Sequence, residues 1–101
     1  MNKTYSYDDV LLVPKYSDIR SRSEIDISTD LGKGVILQLP IFASPMDTVS
    51  ESAMGNAMGQ VGASAIIHRY NTIQEQMNEL NKVNSPRIIG AAIGISGDYL
   101  E

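Results

Sequence analysis

Between Pro40 and Tyr70 the chain reads PIFASPMDTVSESAMGNAMGQVGASAIIHRY, and its pattern changes character twice. Ile41-Phe42-Ala43-Ser44 is a short apolar strand without alternation, as expected when both faces are covered. Thr48-Val49-Ser50-Glu51 then has the spacing of a capping box, in which the threonine and glutamate satisfy free amides at a helix start. Ala53, Met54, Ala57, Met58 and Val61 recur on one helical face, and Gly62 stands where that helix would end. Ala63-Ser64-Ala65-Ile66-Ile67 is a second buried strand, closing at His68. Strand, helix and strand follow one another with short connections.

The unit repeats downstream. Thr72-Ile73-Gln74-Glu75 is another capping box, and Ile73, Met77, Leu80 and Val83 form the apolar stripe of a second helix. Asn84-Ser85-Pro86 stops it, Ile88-Ile89-Gly90-Ala91-Ala92-Ile93 is a third apolar strand, and Gly94-Ile95-Ser96-Gly97 opens a loop. Strand starts near 41, 64 and 88 make a βαβαβ segment, and the crossover rule makes its strands parallel. Upstream, Val10-Leu11-Leu12-Val13 reads as a packed turn or short strand ended by Pro14. Glu24-Ile25-Asp26-Ile27-Ser28-Thr29 alternates polar and apolar, as do Val35, Leu37 and Leu39. Leu31-Gly32-Lys33-Gly34 joins the two runs as a β-hairpin.

The expected organisation is therefore a lead-in with a hairpin over 1–39 and strand–helix units over 40–101. Three parallel strands with two helices leave open edges and an uncovered face. Asp98-Tyr99-Leu100-Glu101 falls where a third helix would begin, so the chain reads as part of a longer one. The fold class is α/β, the N-terminal portion of a (β/α)8 barrel, although a doubly wound sheet has the same local grammar.

Composition narrows the function classes. With 43% apolar and 20% charged residues over 101 positions the chain is an ordinary globular sequence. A formal net charge of −4 argues against nucleic acid as a partner. No cysteine is present, which excludes disulfides, thiolate metal sites and sulfur nucleophiles within these residues, and one histidine leaves little for zinc. The polar N-terminus has no signal-peptide core, and no apolar run approaches the ~20 residues of a membrane span. The expectation is a cytoplasmic protein with no membrane partner.

In either architecture ligands bind beyond the C-terminal ends of parallel strands. Ser44-Pro45-Met46-Asp47-Thr48, His68-Arg69-Tyr70-Asn71 and Gly94-Ile95-Ser96-Gly97 would lie side by side on that rim. Ser44 could hydrogen-bond a ligand, and Met46 could pack on a planar ring. The plainer reading, which the residues alone favour, is that Ser44 and Asp47 shape a turn and cap a helix. His68 and Arg69 offer a titrating group and a fixed cation, but a single histidine after an apolar strand is more often structural. Tyr70 could stack on a base or cover the rim. Gly94-Ile95-Ser96-Gly97 lacks dinucleotide and triphosphate spacings and reads first as a turn. The methionines at 54, 58 and 77 read as core.

Tyr7-Asp8-Asp9-Val10-Leu11-Leu12-Val13-Pro14-Lys15-Tyr16-Ser17, Pro40-Ile41-Phe42-Ala43-Ser44-Pro45-Met46-Asp47-Thr48-Val49 and Ala65-Ile66-Ile67-His68-Arg69 together resemble the inosine-monophosphate dehydrogenase and guanosine-monophosphate reductase family. The likeness runs over essentially the whole chain. Ser44-Pro45-Met46-Asp47 and Ile89-Gly90-Ala91-Ala92-Ile93-Gly94 look like the dehydrogenase form. Ser21-Arg22-Ser23-Glu24-Ile25-Asp26 is common in reductases, and His68-Arg69-Tyr70-Asn71 sits between the two. The resemblance implies that Ser44 and Met46 line a purine mononucleotide pocket and that His68 faces a dinucleotide cofactor. It implies oxidation of IMP to XMP with NAD through a cysteine, aided by a monovalent cation (K+). Cysteine and cation site lie later in family sequences, so no catalytic residue maps here and this stretch alone would be inactive. Partners would be the remainder of the barrel and a homotetramer. Val83-Asn84-Ser85-Pro86-Arg87-Ile88 joins the second helix to the third strand directly, where many dehydrogenases insert a regulatory module. The alternatives are an NADPH-dependent reductase converting GMP to IMP, and a non-catalytic assembly module made from a truncated barrel.

Overall fold

A computed structural model describes residues 2–84 and 89–97. The expected strand start at Ile88, the stop at Pro86 and the third helix start at Asp98 lie outside the described residues. Two short antiparallel strands, β1 (Thr29–Asp30) and β2 (Ile36–Leu37), form the hairpin. Downstream come β3 (Phe42–Ala43), α1 (Ser52–Gln60), β4 (Ser64–Ile67), α2 (Ile73–Asn81) and β5 (Ile89–Ala91). The last three strands pair in the order β3-β4-β5, all parallel, with Ala43 opposite Ala65 and Ile67 opposite Ala91. This is the βαβαβ segment that the pattern predicts.

The central strand carries the core. Ala65 and Ile67 are fully buried and Ile66 is half-buried, and Ala63 just before the strand and Leu37 of the hairpin join them. Phe42 in the edge strand is 43% exposed, so the expectation of cover on both faces fails for β3. A strand at the edge of a three-stranded sheet has one neighbour and, here, an open face.

Helix α1 departs from its predicted face. Gly55 and Gly59, one turn apart, are its buried residues, with Met54 and Met58 half-buried and Ala53, Ala57 and Val61 exposed. Glycines on the inner face let the helix axis lie close to the small side chains of β4, which removes the need for a bulky apolar stripe. The helix also begins later than the Thr48 capping box predicts. Thr48 has φ +58°, and the amides of Val49 and Ser50 both donate to Met46 O, so 46–50 is a tight turn rather than a helix start.

The first amide of α1 is capped from a distance. Glu79 Oε2 accepts from Ser52 N at 2.9 Å and Ser52 Oγ at 2.6 Å, and Glu79 Oε1 accepts from Lys82 Nζ at 2.6 Å. The Lys82 hydrogen bond foremost, then those from Ser52, hold the Glu79 carboxyl at about 2 instead of the usual 4.5. A carboxyl with a lower pKa folded than unfolded stabilises the fold fully above the unfolded value. That stabilisation is therefore expected to disappear as pH falls from 4.5 towards 2. Urea denaturation of the full-length protein at stepped pH should show this loss, and Glu79→Gln should flatten that part of the profile.

Helix α2 starts as its sequence predicts. Thr72 Oγ1 accepts from Glu75 N, while Glu75 Oε2 accepts from Thr72 N at 2.8 Å and Thr72 Oγ1 at 2.9 Å. Those bonds hold the Glu75 carboxyl below its ordinary range. The stripe is adjusted: Ile73, Gln76, Leu80 and Val83 are half-buried, and Met77 is 48% exposed.

The lead-in is extended and largely uncovered. Leu11 and Leu12 are 95% and 97% exposed, so the expected packed turn at Val10–Val13 is absent. Only 3-10 turns at Tyr7–Asp9 and Arg22–Glu24 break this stretch among the described residues. Glu24–Ser28, expected as strand, pairs with nothing in the hairpin, whose ladder begins at Thr29. A radius of gyration of 17.8 Å, against about 13 Å for a compact domain of this length, reflects that splayed arm. No helix among the described residues is long and apolar enough to cross a membrane.

Candidate functional site

Parallel pairing sets the three strand exits side by side. Ser44 follows β3, His68 follows β4 and Ala92 follows β5, with Ala92 N donating to Ile67 O at 2.9 Å. Gln76 of α2 ties two of these exits together, its Nε2 donating to His68 O at 3.0 Å and to Ala92 O at 2.9 Å.

The loop after β3 presents Ser44, Pro45, Met46 and Asp47, all exposed. Met46 leaves 54% of its surface open, so its thioether is available to the face of a flat ring. The turn is held from beneath by Ser50, which is fully buried. Ser50 Oγ donates to Ser44 O, Ser50 N donates to Met46 O at 2.9 Å, and Ser50 O accepts from His68 N at 3.2 Å.

His68 is 2% exposed. Its Nδ1 accepts from Tyr70 N at 3.1 Å, which places the proton of a neutral ring on Nε2, where it points to Glu51 Oε1 at 3.1 Å. Asp47 Oδ1 is 4.0 Å from the same nitrogen, so the first and second rim loops meet at this ring. Both ring nitrogens are thus engaged within the fold. Tyr70 stands 66% exposed, with its ring roughly parallel to His68 (interplanar angle 26°) and the Arg69 guanidinium carbon 5.9 Å from its centre. Arg69 also reaches the loop after β5: a Cβ added at Gly94 would lie 3.4 Å from its Nη1.

A cleft of about 320 Å³ opens between this rim and α2. Asp47, Glu51, His68, Tyr70 and Asn71 line one side, and Glu75, Asn78, Glu79 and Lys82 the other. Asn71 Oδ1 is buried there without a partner among the described residues. Ser44 and Met46 do not line this cleft; they stand on the open face of their loop. Among the described residues no group of His, Cys, Asp or Glu could hold a metal ion.

The structure therefore brings His68 to the Ser44–Asp47 loop through Ser50 and Asp47. It also adds Ser50, Glu51 and Gln76, which sequence reasoning missed as site residues. Glu51 carried a visible signal only as the last residue of the Thr48–Glu51 capping pattern, which pointed to the helix and away from the histidine.

Residues 4–101 match the family described as the IMP dehydrogenase / GMP reductase domain. The chain is 54% identical over 78 residues to an inosine-5'-monophosphate dehydrogenase of Nitrosopumilus maritimus, covering 77% of this chain and 16% of that protein. It is 44% identical over 78 residues to a GMP reductase of Leishmania donovani, with the same 77% and 16% coverage. The crystal structure of inosine 5'-monophosphate dehydrogenase from Legionella pneumophila superposes with a TM-score of 0.81 at 38% identity, covering 92% of this chain and 28% of that one. The chain thus spans about a sixth of the length of these two curated relatives.

Proposed function

The chain belongs to the IMP dehydrogenase / GMP reductase family, and from that premise we propose that it supplies the first strand–helix units of the catalytic (β/α)8 barrel of an IMP dehydrogenase. The observation that carries this reading is the adjacent, parallel placement of the Ser44–Asp47 loop and the His68 strand end, in a chain whose identity to a dehydrogenase reaches 54%. In such a barrel the open edges of β3 and β5 pair with further strands, and the exposed Phe42 face is covered.

The proposed reaction is oxidation of IMP to XMP with NAD. Ser44 holds the mononucleotide by its exposed hydroxyl, and Met46 lies against the purine. NAD, when bound, supplies the hydride acceptor. The residues present fit a dinucleotide, because the exposed Tyr70 ring and the adjoining Arg69 guanidinium offer a stacking face and a cation for a heteroaromatic phosphate ligand. His68 serves that side as a positioning residue: its Nδ1 holds the Tyr70 amide, and its Nε2–H orients Glu51. These residues bind and orient. The sequence holds no cysteine, so the nucleophile that this chemistry needs comes from elsewhere in the protein.

The test is turnover by the full-length protein of IMP with NAD against GMP with NADPH. The proposal expects the first pair to react, and reaction of the second pair alone would make it a reductase. Removing a ligand hydroxyl contact or a packed thioether weakens binding by about tenfold each. Ser44→Ala and Met46→Ala should therefore each raise KM for IMP by about that factor with KM for NAD unchanged. Equal KM for IMP in wild type and both variants would remove these residues from the site.

A further inference from the structure

We propose that Ser50 is the positioning residue of the mononucleotide site, setting the shape of the loop that carries Ser44 and Met46; the proposal rests on the IMP dehydrogenase reading above. Ser50 touches no open surface, so it cannot itself meet a ligand. Each of its polar groups is instead directed at the rim. The hydroxyl donates to the carbonyl of Ser44, the amide donates to the carbonyl of Met46 at 2.9 Å, and the carbonyl accepts from the amide of His68 at 3.2 Å. One residue therefore fixes both ends of the Ser44–Met46 segment and fastens it to the end of β4.

That segment needs fastening. Thr48 sits at φ +58°, a left-handed conformation that a threonine adopts only when its surroundings impose it. The loop's own side chains, Ser44, Pro45, Met46, Asp47 and Thr48, are all exposed and supply little packing to hold it. Two of the three Ser50 bonds are backbone bonds that any residue makes. The hydroxyl bond to Ser44 O is the one that depends on the side chain, and a part-buried carbonyl left without its donor is a penalty that the loop can relieve by moving. Movement there displaces the Ser44 hydroxyl and the Met46 thioether together, while Arg69 and Tyr70 stay in place in the loop after β4.

The consequence is specific in kind. Ser50→Ala in the full-length enzyme removes a single oxygen and the bond to Ser44 O. It is expected to raise KM for IMP by about tenfold, to leave KM for NAD within about twofold, and to change kcat little. Ser50→Thr keeps the hydroxyl and should restore most of the IMP affinity. Should its extra methyl group disturb the buried site, Ser50→Cys retains a weak donor of similar size and should fall between wild type and Ser50→Ala. A purely structural serine would give a smaller folded fraction, lowering apparent kcat with both KM values unchanged. That result overturns the proposal, as does an equal rise in both KM values. Calorimetric titration of IMP into wild type and Ser50→Ala checks the same shift without catalysis, and equal affinities there also overturn it. Absence of wild-type IMP turnover together with absence of IMP binding rejects the dehydrogenase reading and this role with it. Normal wild-type activity with an unchanged Ser50→Ala variant rejects Ser50 alone.

Discussion

Gly62→Ala is expected to destabilise the full-length protein by about 2–5 kcal/mol, the sum of a left-handed backbone penalty and an overpacking penalty. Gly62 has φ +81°, and it closes α1 with the paired bonds of a helix C-cap: Gly62 N donates to Gly59 O at 3.1 Å and Ala63 N to Met58 O at 2.9 Å. Its own carbonyl accepts from both Gln38 N and Leu39 N at 3.0 Å, so the helix end is also where the hairpin exit is tied down. A methyl group at Gly62 would lie 2.6 Å from Gln38 Cβ, an atom fixed by the backbone that carries it. Neither side can yield without breaking those bonds. Gly90 provides an internal contrast. A methyl group there would lie 2.6 Å from Ile66 Cδ1, the far end of a side chain that can rotate. Urea denaturation should rank Gly62→Ala well below Gly90→Ala, and equal stabilities would refute the account of Gly62 as the joint between helix and hairpin.

The same glycine shows why parts of the fold were legible. A cap that requires positive φ at the end of an apolar-periodic run admits few residues, and the sequence carries that constraint locally. The Thr72 capping box is equally local, since its partners lie three residues apart. Thr48-Val49-Ser50-Glu51 has the same spacing and no such structure. There the amides of Val49 and Ser50 turn back to Met46, and the helix that follows takes its cap from Glu79, twenty-seven residues beyond Ser52. No local pattern encodes that. The buried face of α1 was misread for a different reason: Gly55 and Gly59 carry no hydrophobic signal, so a periodicity search finds the neighbouring alanines and methionines.

The candidate site divides in the same way. Ser44, Met46 and His68 stood out because ligands gather at the C-terminal ends of parallel strands, and the strands were readable. Ser50 and Gln76 did not, because each spends its side-chain polar atoms on main-chain groups, Ser50 on a carbonyl six residues back in its own loop and Gln76 on two strand exits. Such a residue has neither the period of a core position nor the chemistry of a motif. Only three-dimensional placement distinguishes the buried Ser50 from exposed serines such as Ser44.

His68→Ala is the second change expected to act strongly. The ring is 2% exposed, so its removal opens a cavity and leaves the Tyr70 amide without its acceptor, a combined loss of about 2–5 kcal/mol. The contact to Glu51 should contribute less, since that side chain is 45% exposed and water can replace the histidine. This ordering can be tested with two amide replacements. In His68→Asn the side-chain oxygen falls near the place of Nδ1 and can still accept from Tyr70 N. In His68→Gln the terminal group reaches towards the place of Nε2 and can still donate to Glu51. If the Tyr70 amide is the costly partner, His68→Asn recovers more stability than His68→Gln, and Glu51→Gln in either background changes little. The opposite ranking would make the Glu51 bond the one that holds the ring. The Tyr70 link also makes an activity prediction, because Tyr70 offers the stacking face assigned to the dinucleotide. His68→Asn should then keep KM for NAD closer to wild type than His68→Gln does, whereas KM for IMP should respond to neither.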